Sequence, residues 1–241
     1  MSRSIDRRSL ILGAGGGALA ATFPALTRQQ AQQSGKEQDD GETEVTANED
    51  LMREHGVIRR ALFVYGEASR RARNAPGSIP LPQLLETAQL FRTFAEDYHE
   101  RQLEEAHIFP VVRRVQGPVA GLPDVLLTQH QRGRQITDYI RGVASSRSIA
   151  PAEAERLAKT LDEMIGMYGP HAAREDTDLF PAWKKAIGEK AYDEMGEKFE
   201  EIERRTFGHD GFEEARARIG RIEAAFGLAE LSRVTPPPLT G

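Results

Sequence analysis

From residue 47 onward, apolar side chains recur every three to four positions, and four of the resulting helical stripes each carry one inward histidine. No stretch shows the period of two that a half-buried strand requires. A chain patterned in this way folds as packed helices. Each imidazole on an apolar face then needs a partner, because burying it unpaired is costly.

The first stripe holds Leu51, His55, Ile58, Leu62 and Tyr65, and opens on Thr46 with Glu49 three residues later, the spacing of a capping box. "NAPGSIP" (74–80) breaks the chain. The second helix is predicted from about Pro82 to Arg114, with Ala88, Phe91, Ala95, Tyr98 and Gln102 along one face and His99 turned inward. "QGPVAGLP" (116–123) breaks it again. The third carries Leu126, His130, Gly133, Thr137 and Ile140 and ends near "ASSRS" (144–148).

Pro151 suits the first turn of the fourth helix. Leu157, Leu161, Met164, Tyr168, His171, Glu175 and Asp178 then step by three and four, the seam of an antiparallel bundle. Gly169-Pro170 predicts a kink within that run. Short connections favour neighbours running in opposite directions. The expected fold is all-α: an up-down-up-down four-helix bundle over 48–185, followed by a helical extension (186–230) with helices at 188–206 and 211–226. A disordered tail is expected over 231–241.

Four inward histidines, one per helix, suggest a shared cation that relieves the cost of burying all of them. Acids accompany them. "HERQLEEAHIFP" closes the second helix and "HAAREDTDLFP" the fourth. Glu175 follows His171 by four residues, so the two share a face. In the second helix the position four residues after His99 is Leu103, which cannot ligate, and Glu104 lies about 140° around a regular helix. The extra residue predicts a π-bulge near 99–104 that turns Glu104 inward, with Glu100 or Glu105 as the alternative ligand. Phe109-Pro110 and Phe180-Pro181 are expected to close the end of the bundle.

Other candidates have plainer readings. His107 suits the bundle surface or a place behind the ligands, and His209 a solvated turn. Tyr168 faces inward and could bond a ligand at the metals, although an inward tyrosine is more often core. Arg134 is placed to pair with one of the acids. The run 213–226 reads as a solvated amphipathic face.

The chain has no cysteine, which removes thiolate metal sites, disulfides and thiol catalysis. A donor set of nitrogen and oxygen alone suits iron, manganese or zinc. The formal charge is −5, yet residues 1–31 hold four arginines against Asp6, so the remainder is acidic. Nucleic acid is therefore not an expected partner. Arg7-Arg8, followed by an uncharged, glycine-broken apolar run up to Arg28, reads as a twin-arginine export segment (1–31) with Ala18-Leu19-Ala20 as a small-residue cleavage site. A retained anchor is the alternative. Residues 32–47 read as a polar linker. The expected location is periplasmic, with no stable membrane insertion once the segment is removed.

His55, then "HERQLEEAHIFP", then His130, then "HAAREDTDLFP" resembles the hemerythrin-like (HHE cation-binding) family over about 48–185 of the 241 residues. The resemblance implies a non-haem di-iron centre inside a four-helix bundle. His55, His99, His130 and His171 would be terminal ligands, and Glu104 and Glu175 bridging carboxylates. The C-terminal helical pair also resembles an extension carried by some bacterial members. Oxygen-carrying members have a second histidine one turn after the third helix's ligand, where this chain has Arg134. Two six-coordinate irons offer about twelve positions. The six side chains and a bridging oxide or hydroxide leave about two of them open to a small ligand such as O2, NO or peroxide. The same centre could instead serve an oxidoreductase that reduces peroxide or NO with an external electron donor, or a protein for iron storage or delivery.

Overall fold

The computed structural model describes residues 45–239, apart from the side chain of residue 233. The expected export segment and the linker up to residue 44 lie outside them. All regular structure among the described residues is helical.

Helix α1 spans Ala47–Asn74, and the Thr46 hydroxyl caps it by accepting the Glu49 N–H at 3.4 Å. A helical rod follows in three segments: α2 (Leu81–Leu90), a π-helix π1 (Phe91–Ile108) and α3 (Phe109–Val112). Helix α4 spans Leu122–Ala144. The next rod is again in three segments, α5 (Pro151–Arg174, with Pro170 inside it), π2 (Glu175–Leu179) and α6 (Phe180–Ile187). Helices α7 (Glu189–Phe207) and α8 (Gly211–Phe226) follow, and Leu231–Val234 forms a short 3-10 helix within the expected tail. Among these elements α1 packs on α5, α2 on α4, and α4 on α5, while π1 lies against α1 and α4. Helix α8 covers α1 and α2.

The expected one-residue bulge proves to be an 18-residue π-helix, and a second π segment, not expected, precedes Phe180. One cause serves both. A proline within a helix has no N–H, and its ring meets the carbonyl four residues back. Pro110 and Pro181 lie in the first turns of α3 and α6, directly after the two wide turns. The two turns close alike, with the Phe109 N–H donating to the Glu104 carbonyl and the Phe180 N–H to the Glu175 carbonyl.

The wider helix resets which residues face inward. Along π1 the buried positions include Phe91, Ala95, His99, Glu100, Glu104 and Ile108, a spacing of four to five in place of three to four. Gln102, expected on the inner face, is only half-buried and bonds the Asp97 carbonyl at 3.1 Å. Asp178, expected on the seam of the fourth helix, is displaced outward and pairs with Arg174 at 2.9 Å, while Leu179 takes the interior place.

Candidate metal centre

Four rods deliver six buried groups to one interior point: His55 from α1, His99 and Glu104 from π1, His130 from α4, His171 from α5 and Glu175 from the start of π2. The groups divide into two halves. His55 Nε2 and His99 Nε2 stand 3.1 Å apart, as do His130 Nε2 and His171 Nε2. Glu104 places Oε1 3.3 Å from His99 Nε2 and Oε2 3.4 Å from His130 Nε2. Glu175 places Oε2 3.4 Å from His55 Nε2 and Oε1 3.1 Å from His171 Nε2. Each carboxylate therefore reaches both halves.

The outer ring nitrogens are all engaged. His55 Nδ1 meets Asp176 at 2.7 Å, His99 Nδ1 meets Glu54 at 2.7 Å, His130 Nδ1 meets Glu105 at 2.9 Å and His171 Nδ1 meets the Gln129 side-chain oxygen at 2.8 Å. An Nδ1–H that donates outward leaves Nε2 as a bare lone pair aimed inward. The two phenylalanines of the Phe-Pro endings hold the rings flat. Phe180 stacks on His55 at 5.5 Å and Phe109 on His130 at 5.4 Å.

These contacts are repeated pairwise between the halves. Glu54-His55 answers Gln129-His130, and Glu104-Glu105 answers Glu175-Asp176. Arg59, one turn after His55, meets Asp176, and Arg134, one turn after His130, meets Glu105. Arg134 thus pairs with an acid, as expected from sequence, and it also donates to Glu100 at 3.0 Å.

The structure separates the three acids that the sequence left open. Glu105 accepts from His130 Nδ1 and Arg134, and Glu100 accepts from Arg134 and from the Tyr168 hydroxyl at 2.7 Å. Only Glu104 of the three turns both oxygens to the inner histidine nitrogens. His107 lies against the Phe199 ring at 5.9 Å and His209 pairs with Glu214, and neither joins the converging groups. Sequence reasoning missed Glu54, Asp176, Gln129 and Arg59. The signal was there, since each partner directly precedes a histidine or follows an inward glutamate, and Arg59 lies one turn beyond His55.

All four oxygens of Glu104 and Glu175 are buried without a hydrogen bond. Four unpaired carboxylate oxygens facing four imidazole lone pairs is untenable in an apolar interior unless cations or protons intervene. Without a cation, the buried carboxylates favour protons on the facing imidazoles. Burial lowers the His99 and His55 affinities for a proton, but neighbouring carboxylates outweigh it and raise both. His130 is raised to about 9 for the same reason. Burial, together with the charge of Glu175, pushes Glu104 up, whereas His171 and His55 hold Glu175 down despite its burial.

The interior of the centre is a gap of about 10 Å³, lined by His55, His99, Glu104, His171 and Glu175 and closed on one side by Ile58, Glu100, Tyr168 and Ala172. Tyr168 fits there because α4 has a glycine opposite. A Cβ on Gly133 would lie 2.1 Å from the Tyr168 hydroxyl oxygen. Gly133→Ala is expected to destabilise the fold by about 1–3 kcal/mol through overpacking, despite alanine's helix propensity. Gly142→Ala, on the open face of the same helix, is expected to gain up to about 1 kcal/mol. Thermal melts of the two variants check the opposite signs.

Glu96 lies one turn before Glu100, fully buried, and accepts from Thr137 at 2.6 Å. Burial and the Glu100 charge raise it to about 7. An acid raised in the fold costs stability as pH climbs from its unfolded value near 4.5 through about 7. Glu96→Gln, which also gives up the 3.0 Å contact with Arg92, should therefore gain on wild type by up to about 3 kcal/mol between pH 5 and pH 8, measured by denaturant titration.

An all-helical body that buries a histidine–carboxylate cluster able to hold cations is a recognisable class of metal-binding protein. The chain belongs to the hemerythrin HHE cation-binding domain family, whose model matches residues 46–183. It is also 42% identical over 196 residues to uncharacterized proteins of Mycobacterium bovis and Mycobacterium tuberculosis, covering 81% of this chain and 76% of each relative. No solved structure matches.

Proposed function

We propose that the chain is an exported hemerythrin-like protein whose four long helical rods form an up-down-up-down bundle around a non-haem di-iron centre. His55 and His99 would hold one ion and His130 and His171 the other, with Glu104 and Glu175 shared between them. The observation that carries this reading is the division of the cluster into two histidine pairs spanned by two carboxylates with no other partner. Two nitrogen donors at about 2.1 Å from one ion and near a right angle stand about 3 Å apart, which matches the 3.1 Å within each pair.

A di-iron pair supplies electrons to, or reversibly binds, a small ligand such as O2, NO or peroxide. The protein's own contribution is orientation and exclusion. Glu54, Asp176, Glu105 and Gln129 fix the imidazole tautomers, Phe109 and Phe180 keep the rings dry, and Ile58, Tyr168 and Ala172 close the small interior where the ions would sit. Export through the twin-arginine route rests on Arg7-Arg8 and the uncharged run behind them. It places the protein outside the cytoplasm.

Iron, manganese and zinc per chain, measured on protein from iron-replete cells, test the reading together with visible spectra before and after exposure to O2 or peroxide. Two irons and an oxo-bridge charge-transfer band are expected. A colourless protein holding only zinc overturns it. Asp176→Asn, which weakens the acceptor behind His55, should lower metal affinity about 10–100-fold without unfolding the chain.

A further inference from the structure

We infer that the two cation positions are unequal, with the His55–His99 position the stronger, and that Gln129 sets the difference. This rests on the di-metal reading above. The halves correspond closely behind the histidines, and two differences bear on the strength of the ligand rings. Behind His99 stands the Glu54 carboxylate at 2.7 Å, whereas behind His171 stands the neutral side-chain oxygen of Gln129 at 2.8 Å. A carboxylate that accepts from Nδ1–H draws the imidazole toward imidazolate character and makes Nε2 a stronger donor, and an amide oxygen does so less. In the His55–His99 half both imidazoles have carboxylates behind them, Asp176 and Glu54. In the other half only His130 does, through Glu105.

The second difference is Glu100, the residue that the longer second-helix ending adds, where the fourth helix has the small Ala172 across the gap. Its charge bears on His130 through space, not through a hydrogen bond to a ligand ring. Glu100 meets no imidazole closer than the 3.8 Å to His130 Nδ1, and its oxygens accept from Tyr168 and Arg134. The Glu100 anion is thus committed to a phenol and a guanidinium, whereas Glu54, although its Oε1 accepts from the Tyr98 hydroxyl at 2.9 Å, keeps Oε2 on a ligand ring.

The consequence is ordered filling and unequal ions. One ion enters the His55–His99 position first, and the second enters a position with a weaker donor set. An ion held there would be the more electron-poor of the two.

The test is an anaerobic calorimetric titration of the metal-free full chain with Fe²⁺, compared with Gln129→Glu and Glu54→Gln. Wild type should bind two ions in two steps whose dissociation constants differ about tenfold or more. Repulsion across shared carboxylates also separates steps, so the variants decide the matter. Gln129→Glu should tighten the second step and bring the two within about threefold, and Glu54→Gln should weaken the first. Circular dichroism checks that both variants are folded. Mössbauer spectra of the iron-loaded proteins give an independent readout, with two distinct sites in wild type becoming alike in Gln129→Glu. A single step in wild type, or a ratio of steps unmoved by Gln129→Glu, overturns the inference. Absence of iron binding altogether overturns the di-metal reading instead, so the two failures are distinguishable.

Discussion

On the proposed di-metal reading, Glu104→Gln is expected to leave the chain with one bound ion or none while its helical content stays intact. The carboxylate is buried, reaches both histidine pairs and has no other hydrogen-bond partner, so its charge has no structural task apart from cations. Glutamine keeps the shape and removes the anion, and an amide oxygen is a poor bridge between two divalent ions. The loss should exceed the 10–100-fold that follows from disturbing a residue behind a ligand, because this change acts at both positions. Glu100→Gln is the control. That residue is bonded to Tyr168 and Arg134, and its substitution should leave two ions per chain. Metal analysis of the three purified proteins decides. Retention of two ions by Glu104→Gln, with loss in Glu100→Gln, would move the bridging role to the neighbouring acid.

The comparison of Glu104 with Glu175 shows what a sequence of this kind displays and what it hides. The helical stripes, the four inward histidines and the two acid-bearing endings were legible because burial imposes periodicity on a helix. The mismatch between the endings was legible too, as one surplus residue after His99. Its remedy was harder to read. A single surplus residue suggested a local bulge, whereas the wide helix begins at Phe91, well ahead of it. The second wide turn, at Glu175–Leu179, had no surplus residue to announce it. Only the shared Phe-Pro closure pointed to it. Aligned on that closure the endings agree, since Phe109 is the fifth residue after Glu104 and Phe180 the fifth after Glu175.

The two histidine–acid halves form a repeat of unequal spacing. The step from His55 to His130 is longer than the step from Glu104 to Glu175, because the connections between rods differ in length and the surplus residue lies in one half only. A repeat of unequal spacing is invisible to a search for a fixed period, yet side-chain contacts recover it at once. Gln129 and Glu54 illustrate the point. As lone letters beside histidines they look like solvated polar residues, and only the position of the ring nitrogens they face gives them a role.

Removing the metals should lower the melting temperature by about 16–32 °C, and the gap between loaded and stripped protein should widen with pH. An ion present at a thousand times its dissociation constant stabilises by about 4 kcal/mol, so two contribute about 8. A change of 1 kcal/mol moves the midpoint of a domain this size by about 2–4 °C. The pH dependence follows from the groups that replace the cations. In the stripped chain His55, His99 and His130 bind protons more tightly folded than unfolded, the last with a value of about 9. Their contribution is complete below about pH 6.5 and fades as pH rises toward 9. The raised Glu104 acts in the same direction, and the lowered Glu175 matters only below about pH 4.5. The loaded chain has the opposite slope, because protons compete with metal for the same imidazoles and release it as pH falls. Thermal melts at pH 6 and pH 8, with and without a chelator, measure both slopes. Parallel curves, or a stripped protein that gains stability between those pH values, would mean that protons and cations do not share this cluster.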